Sequence, residues 1–173
     1  MRYTCLLLIT SILLFGCTAA KVVPTDIATT VYLTRHAEKA NDGTKDPSLT
    51  DKGRERAKAF ARNIDKDNIR AIYSTDYKRT RETVAPLAEE LNLDVIIYNP
   101  RDLKSLKEEI LQEYKYGETV VVVGHSNTTP TLANLLVSKE QFSQIDESDY
   151  TNLYKVEIQY NGFKKISNIK QPE

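Results

Sequence analysis

The 173-residue chain holds only two histidines, and both directly follow β-branched, apolar runs. Arg35-His36 comes after Thr29-Thr-Val-Tyr-Leu-Thr34, and His125 comes after Thr119-Val-Val-Val-Val-Gly124. A third run, Ala71-Ile-Tyr-Ser74, leads into Thr75-Asp-Tyr-Lys-Arg79-Thr-Arg-Glu-Thr83, which sets basic residues just past that run as well. In open α/β sheets, ligands bind in the crevice beyond the carboxyl ends of the strands. Three strand ends bearing Arg, His, Arg and His therefore describe one cationic pocket. Such a pocket suits a phosphoryl dianion, because guanidinium forks match phosphate oxygens bidentately and keep their charge. A helix starting near Thr129 adds free amide donors and the positive end of its dipole. One imidazole with a fixed tautomer can attack phosphorus in line while the remaining groups stabilise the equatorial oxygens, leaving a phosphohistidine for water to hydrolyse. Metal is dispensable in this scheme and no cofactor is needed. A lone histidine at a strand end is usually structural; here the joint company of these residues carries the functional reading.

The elements that must position these residues are legible from periodicity. Thr50 opens a helix with Ala57, Phe60, Ala61 and Ile64 on one face, and Lys78 opens another with Val84, Leu87, Ala88 and Leu91, interrupted by Pro86. Leu93 to Tyr98 reads as a third strand. Asp102 reads as the cap of a helix carrying Leu103, Leu106, Ile110, Leu111 and Tyr114. The run before His125 is apolar on both faces, as a central parallel strand is. Thr129-Pro130 reads as an N-cap and first-turn proline. Asn152 to Tyr160 and Phe163 to Ile169, joined at Asn161-Gly162, read as a hairpin. Strands alternating with helices predict a three-layer α/β/α sandwich with a mainly parallel sheet and a C-terminal antiparallel hairpin. The tyrosines, Tyr150, Tyr154 and Tyr160 among them, read as core and hairpin packing.

Four of these motifs, in order, resemble the histidine phosphatase superfamily, also called phosphoglycerate-mutase-like. They are Arg35-His36-Ala37-Glu38, Ser48-Leu-Thr50-Asp-Lys-Gly53-Arg-Glu-Arg-Ala57, Ile72 through Thr83, and Val123-Gly124-His125-Ser126. The resemblance implies His36 as nucleophile, Arg35 and Arg79 as phosphate clamps, and His125 as an oxyanion-stabilising partner. It favours Arg79 over Arg81, with Lys78 a solvated charge. Ala37 stands where the family pattern has Gly, which is strain-free if its φ is negative. Ser126-Asn127 follows the second histidine in place of another common pair, making Ser126 and Asn127 candidate phosphate or substrate contacts, with a helix cap as the alternative for Asn127. The short interval between Arg79 and His125 lacks the segment that carries the mutases' Glu acid. This disfavours a phosphoglycerate-mutase-type phosphotransferase and resembles the compact phosphohistidine-phosphatase branch. An ester leaving group needs a proton; Glu38 and Asp102 are the candidate donors, with an Arg pair and a helix cap as their respective alternatives. His36-Ala37-Glu38 also matches the H-x-E of zinc deaminases, but no C-x-x-C accompanies it.

Composition bounds the rest. Lys plus Arg number 24 and Asp plus Glu 24, so no surplus of positive charge favours nucleic acid as a partner. Two Cys cannot build a disulfide scaffold, and with two His they give little basis for a zinc site. The start, Met1-Arg2-Tyr3-Thr4 followed by the apolar run Cys5 to Phe15, reads as a signal peptide over residues 1–16, since a membrane-spanning helix needs roughly 20 apolar residues. Leu14-Phe15-Gly16-Cys17 resembles the lipobox of bacterial lipoproteins, which implies acylation of Cys17, with a simple cleavable signal or a signal-anchor helix as the alternatives. Residues 17–28 then read as a tether and residues 29–173 as the phosphatase domain. Thr18 is not an acidic retention residue, so the resemblance favours the outer membrane. The expectation is an extracytoplasmic, lipid-anchored phosphatase acting on phosphomonoesters or phosphoramidates, small molecules or phosphoprotein. It touches the membrane through its N-terminal lipid alone, and its oligomeric state is left open. The rival expectation is a phosphate-binding lipoprotein without turnover.

Overall fold

The computed structural model describes residues 27–171, so the signal, Cys17 and most of the tether lie outside the described residues. In chain order the elements are β1 (Ile27–Arg35), α1 (Asp51–Asn63), β2 (Ile69–Ser74), α2 (Lys78–Leu91), β3 (Val95–Ile97), α3 (Leu103–Glu113), β4 (Glu118–Gly124), α4 (Thr128–Val137), β5 (Asn152–Gln159) and β6 (Lys164–Lys170). They form one sheet of order β3-β2-β4-β1-β5-β6. The first four strands in that order run parallel, whereas β5 pairs antiparallel with β1 and then with β6.

Alternation along the central strands sorts the side chains into two cores. Val31, Leu33, Val120 and Val122 point to the face covered by α3 and α4 through Leu106, Ile110, Leu132 and Leu136. Tyr32, Val121 and Val123 point to the face covered by α1 and α2 through Phe60, Ile64, Val84 and Leu87. Thr119 to Val123 are all buried, which explains why β4 carries no polar face. The result is the three-layer sandwich expected from the alternation of elements.

Boundaries shift where caps decide them. Strand β3 is shorter than Leu93 to Tyr98 because Asn92 turns left-handed to cap α2 and the Leu93 amide bonds back to Ala88. Helix α4 starts earlier than a Thr129 cap would allow. The Thr129 amide already bonds to the His125 carbonyl, Asn127 occupies the cap without a side-chain bond, and Pro130 becomes the third helical residue. The hairpin turn spans Tyr160 to Phe163, with Gly162 at φ +82° and the Gln159 amide bonded to the Phe163 carbonyl. Thr50 and Asp102 cap α1 and α3 by accepting from the Gly53 and Ser105 amides.

The end of β4 is tightly walled. A Cβ added to Gly124 would lie 2.6 Å from Thr128 Oγ1 and 2.8 Å from the Tyr98 hydroxyl. Both are buried, so neither can give way freely. Gly124→Ala is expected to lower unfolding stability by about 1–3 kcal/mol, the usual scale of overpacking. Urea denaturation checks it, and an unchanged midpoint would show that the strand end tolerates a methyl group.

Candidate active site

Register brings the site together. Arg35 pairs with Gly124 across β1 and β4, and Ser74 pairs with Val123 across β2 and β4, so three parallel strands end at one level. The His36 amide extends the ladder by donating to the Gly124 carbonyl at 3.0 Å. The two imidazoles consequently stand edge to face with centroids 5.6 Å apart.

Each ring is oriented by a neighbour. His36 Nδ1 lies 2.8 Å from the Ala37 carbonyl oxygen. A carbonyl can only accept, so Nδ1 carries the proton and Nε2 keeps its lone pair. Burial, together with the charges of Arg35, Arg79 and His125, pushes the His36 imidazole down to about 3 against the raising effect of the Ala37 hydrogen bond. His125 Nε2 lies 3.0 Å from Thr75 Oγ1, which in turn meets Thr80 Oγ1 at 3.0 Å. Burial, with Arg79 and Arg35, lowers His125 to about 4. Both rings are therefore neutral at neutral pH.

Two guanidinium groups flank them. Arg35 is buried; its Nη1 donates to the Asp146 and Asp149 carbonyls at 2.9 and 3.2 Å, and its Nη2 donates to Glu147 Oε2 at 2.5 Å. Arg79 is mostly buried and lies 3.8 Å from Asp46 Oδ1. Its position is set by Thr83, whose hydroxyl donates to the Arg79 carbonyl at 2.6 Å while accepting the Ala37 amide at 2.9 Å. Nε of both arginines is buried without a hydrogen-bond partner, a state that costs free energy and leaves a donor for an incoming acceptor. Arg81 instead turns outward and pairs with Asp76. Among the described residues, positive φ outside glycine is confined to Asn68, Asn92, Tyr116 and Ser138, so Ala37 is unstrained.

The other candidates are placed differently. Ser126 is buried beside the pocket and donates to Glu147 Oε1 at 2.5 Å, while Asn127 is exposed at the start of α4. The carboxylates considered as proton donors are engaged elsewhere. Burial alone would raise the Glu38 carboxyl, but bonds from Arg56 Nε and Nη2 outweigh it and hold the group below its ordinary range. Asp102 is exposed on α3, lowered by its bonds from the Ser105 hydroxyl and amide. Neither is disposed to give a proton at neutral pH. No group of three or more His, Cys, Asp or Glu that could hold a metal occurs among the described residues, and no helix there is long and apolar enough to cross a membrane.

Four further residues contact the pocket: Tyr150, Tyr77, Thr75 and Glu147. Tyr150, read as packing, lies over Arg35 at 4.4 Å and 6.3 Å from the His36 ring. Tyr154 is core as expected, and Tyr160 is exposed. Tyr77 stacks on Arg79 at 4.3 Å and meets the His125 ring at 5.2 Å. Thr75 could have been found, since it sits directly past β2 at the same strand-end address. Glu147 and Tyr150 could not, because the segment after α4 carries no periodic signal.

Residues 31–104 match the family model of the histidine phosphatase superfamily (branch 1). A curated relative, phosphoserine phosphatase 1 of Hydrogenobacter thermophilus, is 37% identical over 72 residues, which span 38% of this chain and 34% of the relative's length. In three dimensions the chain is similar to a mycobacterial glucosyl-3-phosphoglycerate phosphatase, with a TM-score of 0.66 and 15% identity over 84% of this chain and all (100%) of that one. It is also similar to the protein histidine phosphatase SixA complexed with tungstate, with a TM-score of 0.61 and 15% identity over 82% of this chain and 97% of that one. A phosphoserine phosphatase of Entamoeba histolytica in complex with 3-phosphoglyceric acid gives 0.59 and 16% identity, over 84% and 98% respectively. These likenesses show a shared fold.

The lowered imidazoles set a pH dependence. An unfolded histidine takes up its proton near pH 6.5, whereas His36 and His125 resist protonation to about 3 and 4. Unfolding therefore binds protons below about pH 6.5, so both groups cost stability as pH falls through that window and cost nothing above it. With two histidines in the chain, imidazole NMR resolves each ring. Neither signal is expected to titrate between about pH 5 and 8; a midpoint near 6.5 for either would contradict the burial argument.

Proposed function

We propose, from the premise that residues 31–104 belong to the histidine phosphatase superfamily, that this chain is a phosphatase hydrolysing phosphomonoesters or phosphoramidates through a phosphohistidine on His36. The observation that carries the reading is the His36 ring: neutral, with Nδ1 tied to a carbonyl and Nε2 bare, beside two arginines that each keep a buried, unpartnered Nε.

In the first step the Nε2 lone pair attacks phosphorus in line, the Nε2–P bond forms, and the bond to the leaving oxygen or nitrogen breaks. Arg35 and Arg79, with the positive end of the α4 dipole behind them, take the charge on the equatorial oxygens. His125, whose Nε2 is hydrogen-bonded to the Thr75 hydroxyl, stands beside the same phosphoryl group as its second imidazole contact. The leaving group takes its proton from solvent, which favours phosphoramidates and esters with stable leaving anions, because neither Glu38 nor Asp102 is free to supply it. In the second step water attacks phosphorus, the Nε2–P bond breaks, and inorganic phosphate leaves. The substrate is a phosphorylated small molecule or protein side chain. No step requires a metal.

The N-terminal pattern supports, as part of the same proposal, a protein outside the cytoplasm, acylated at Cys17 and held at a bacterial membrane, with the outer membrane favoured. Cys17→Ser is expected to abolish incorporation of labelled fatty acid; retained label would overturn that placement.

His36→Ala is expected to lower turnover of an aryl phosphate by at least about 10³-fold with the thermal unfolding midpoint preserved, on the scale of removing a covalent nucleophile. Chelators are expected to leave the wild-type rate unchanged. Full activity of His36→Ala would defeat the mechanism, a rate lost to chelator would defeat its metal independence, and an inert wild type that still binds phosphate would leave a binding lipoprotein.

A further inference from the structure

Arg35 is 2% exposed, yet its charged fork already has a carboxylate on it. Glu147 sits in the segment between α4 and β5 and holds two groups of the pocket at once. Oε2 accepts from Arg35 Nη2, and Oε1 accepts from Ser126 Oγ, both at 2.5 Å. Its charge also acts on His125, where it opposes the effect of the two arginines. Its own side chain is 66% exposed, which is unusual for the partner of a buried cation. The backbone beneath it is fixed by other bonds: the Ile145 amide donates to the Ser126 carbonyl at 2.8 Å, and Arg35 Nη1 holds the Asp146 and Asp149 carbonyls.

We infer that Glu147 is a displaceable counter-ion, holding Arg35 and Ser126 in the empty enzyme and yielding both to the phosphoryl group of the substrate. The inference rests on the phosphate-binding reading above and adds a residue to it. A buried guanidinium left without an anion is costly, and a carboxylate presents two oxygens to it much as a phosphate does. The exchange needs only a side-chain rotation into solvent, because the Nη1 bonds to the loop carbonyls stay in place. Two negative groups cannot share Arg35 Nη2 without repulsion, so Glu147 must leave when phosphate arrives. By the same competition it returns when the product departs, which keeps inorganic phosphate from lingering on the enzyme. Catalysis thus retains an arginine that is prepared in the empty state without being permanently saturated.

The test measures binding of inorganic phosphate to the full chain by calorimetry, with the His36 and His125 imidazole signals reporting that the anion occupies this pocket. Glu147→Gln keeps the size of the side chain and removes its charge. Its Kd for phosphate, and its inhibition constant for phosphate against an aryl phosphate, are both expected to fall about tenfold, the scale of one competing charge pair. Glu113→Gln, an exposed residue at the end of α3, removes the same charge far from the pocket and is expected to stay within about twofold of wild type. Unchanged or weaker phosphate binding in Glu147→Gln would overturn the inference, as would an equal gain in Glu113→Gln. A fall in kcat with unaltered phosphate affinity would also overturn it, since that is the signature of a proton donor. Tighter binding in a protein that never forms phosphohistidine would sustain the counter-ion and defeat only the covalent mechanism.

Discussion

The parallel register between β1 and β4 is the constraint on which the site depends. Because Arg35 lies opposite Gly124, the residues that follow emerge side by side, and the His36 amide continues the ladder onto the Gly124 carbonyl. A slip of one residue would send Arg35 and His36 to opposite faces from those they now occupy and bury Tyr32 in the wrong core. The register is strongly specified because both faces of these strands are packed, Val31 and Leu33 against α3 and α4, Tyr32 against α1 and α2. The same packing that stabilises the sheet thus sets the distance between the two imidazoles. Strand β2 adds Thr75 at the same level and so orients the second ring.

Burial makes this geometry chemically useful. Removing water from around His36 and His125 disfavours their charged forms, and the neighbouring guanidinium groups push in the same direction. An imidazole that stays unprotonated at neutral pH follows from placement in a cationic, buried pocket without any separate base. The arrangement has a cost, since two arginine Nε donors lie buried without partners. Each would be satisfied by an oxygen of a bound anion, so the unliganded pocket is strained toward binding. Tyr77 and Tyr150 partly offset that cost by stacking on the two guanidinium groups.

Much of this was legible in the sequence, for identifiable reasons. Strong local signals marked β4, with its run of Val, and α1, with its Thr50 cap and helical spacing of Phe60, Ala61 and Ile64; both stand where periodicity put them. The pairing of His36 with His125 followed from a topological rule, because strand ends in a parallel sheet converge whatever their separation in the chain. The start of α4 was misread because the choice between Asn127 and Thr129 as its cap rests on a backbone bond to His125, which residue preference does not reveal. Glu147 and Tyr150 were invisible for a different reason. They reach the pocket through a segment whose path is set by tertiary contacts with Arg35 and Ser126, and such contacts leave no periodic trace. Glu38 and Asp102 illustrate the converse: correct placement near strand ends did not make them acids, since Arg56 and Ser105 hold both as carboxylates.

The central claim is that His36 Nε2 accepts the phosphoryl group, and the most direct measurement is rapid quenching of the protein in base during incubation with an aryl phosphate, followed by mass spectrometry of its peptides. The account predicts a transient, acid-labile phosphate on the peptide containing His36 and none on the peptide containing His125. Phosphate found on His125, or steady turnover with neither peptide ever modified, would contradict it.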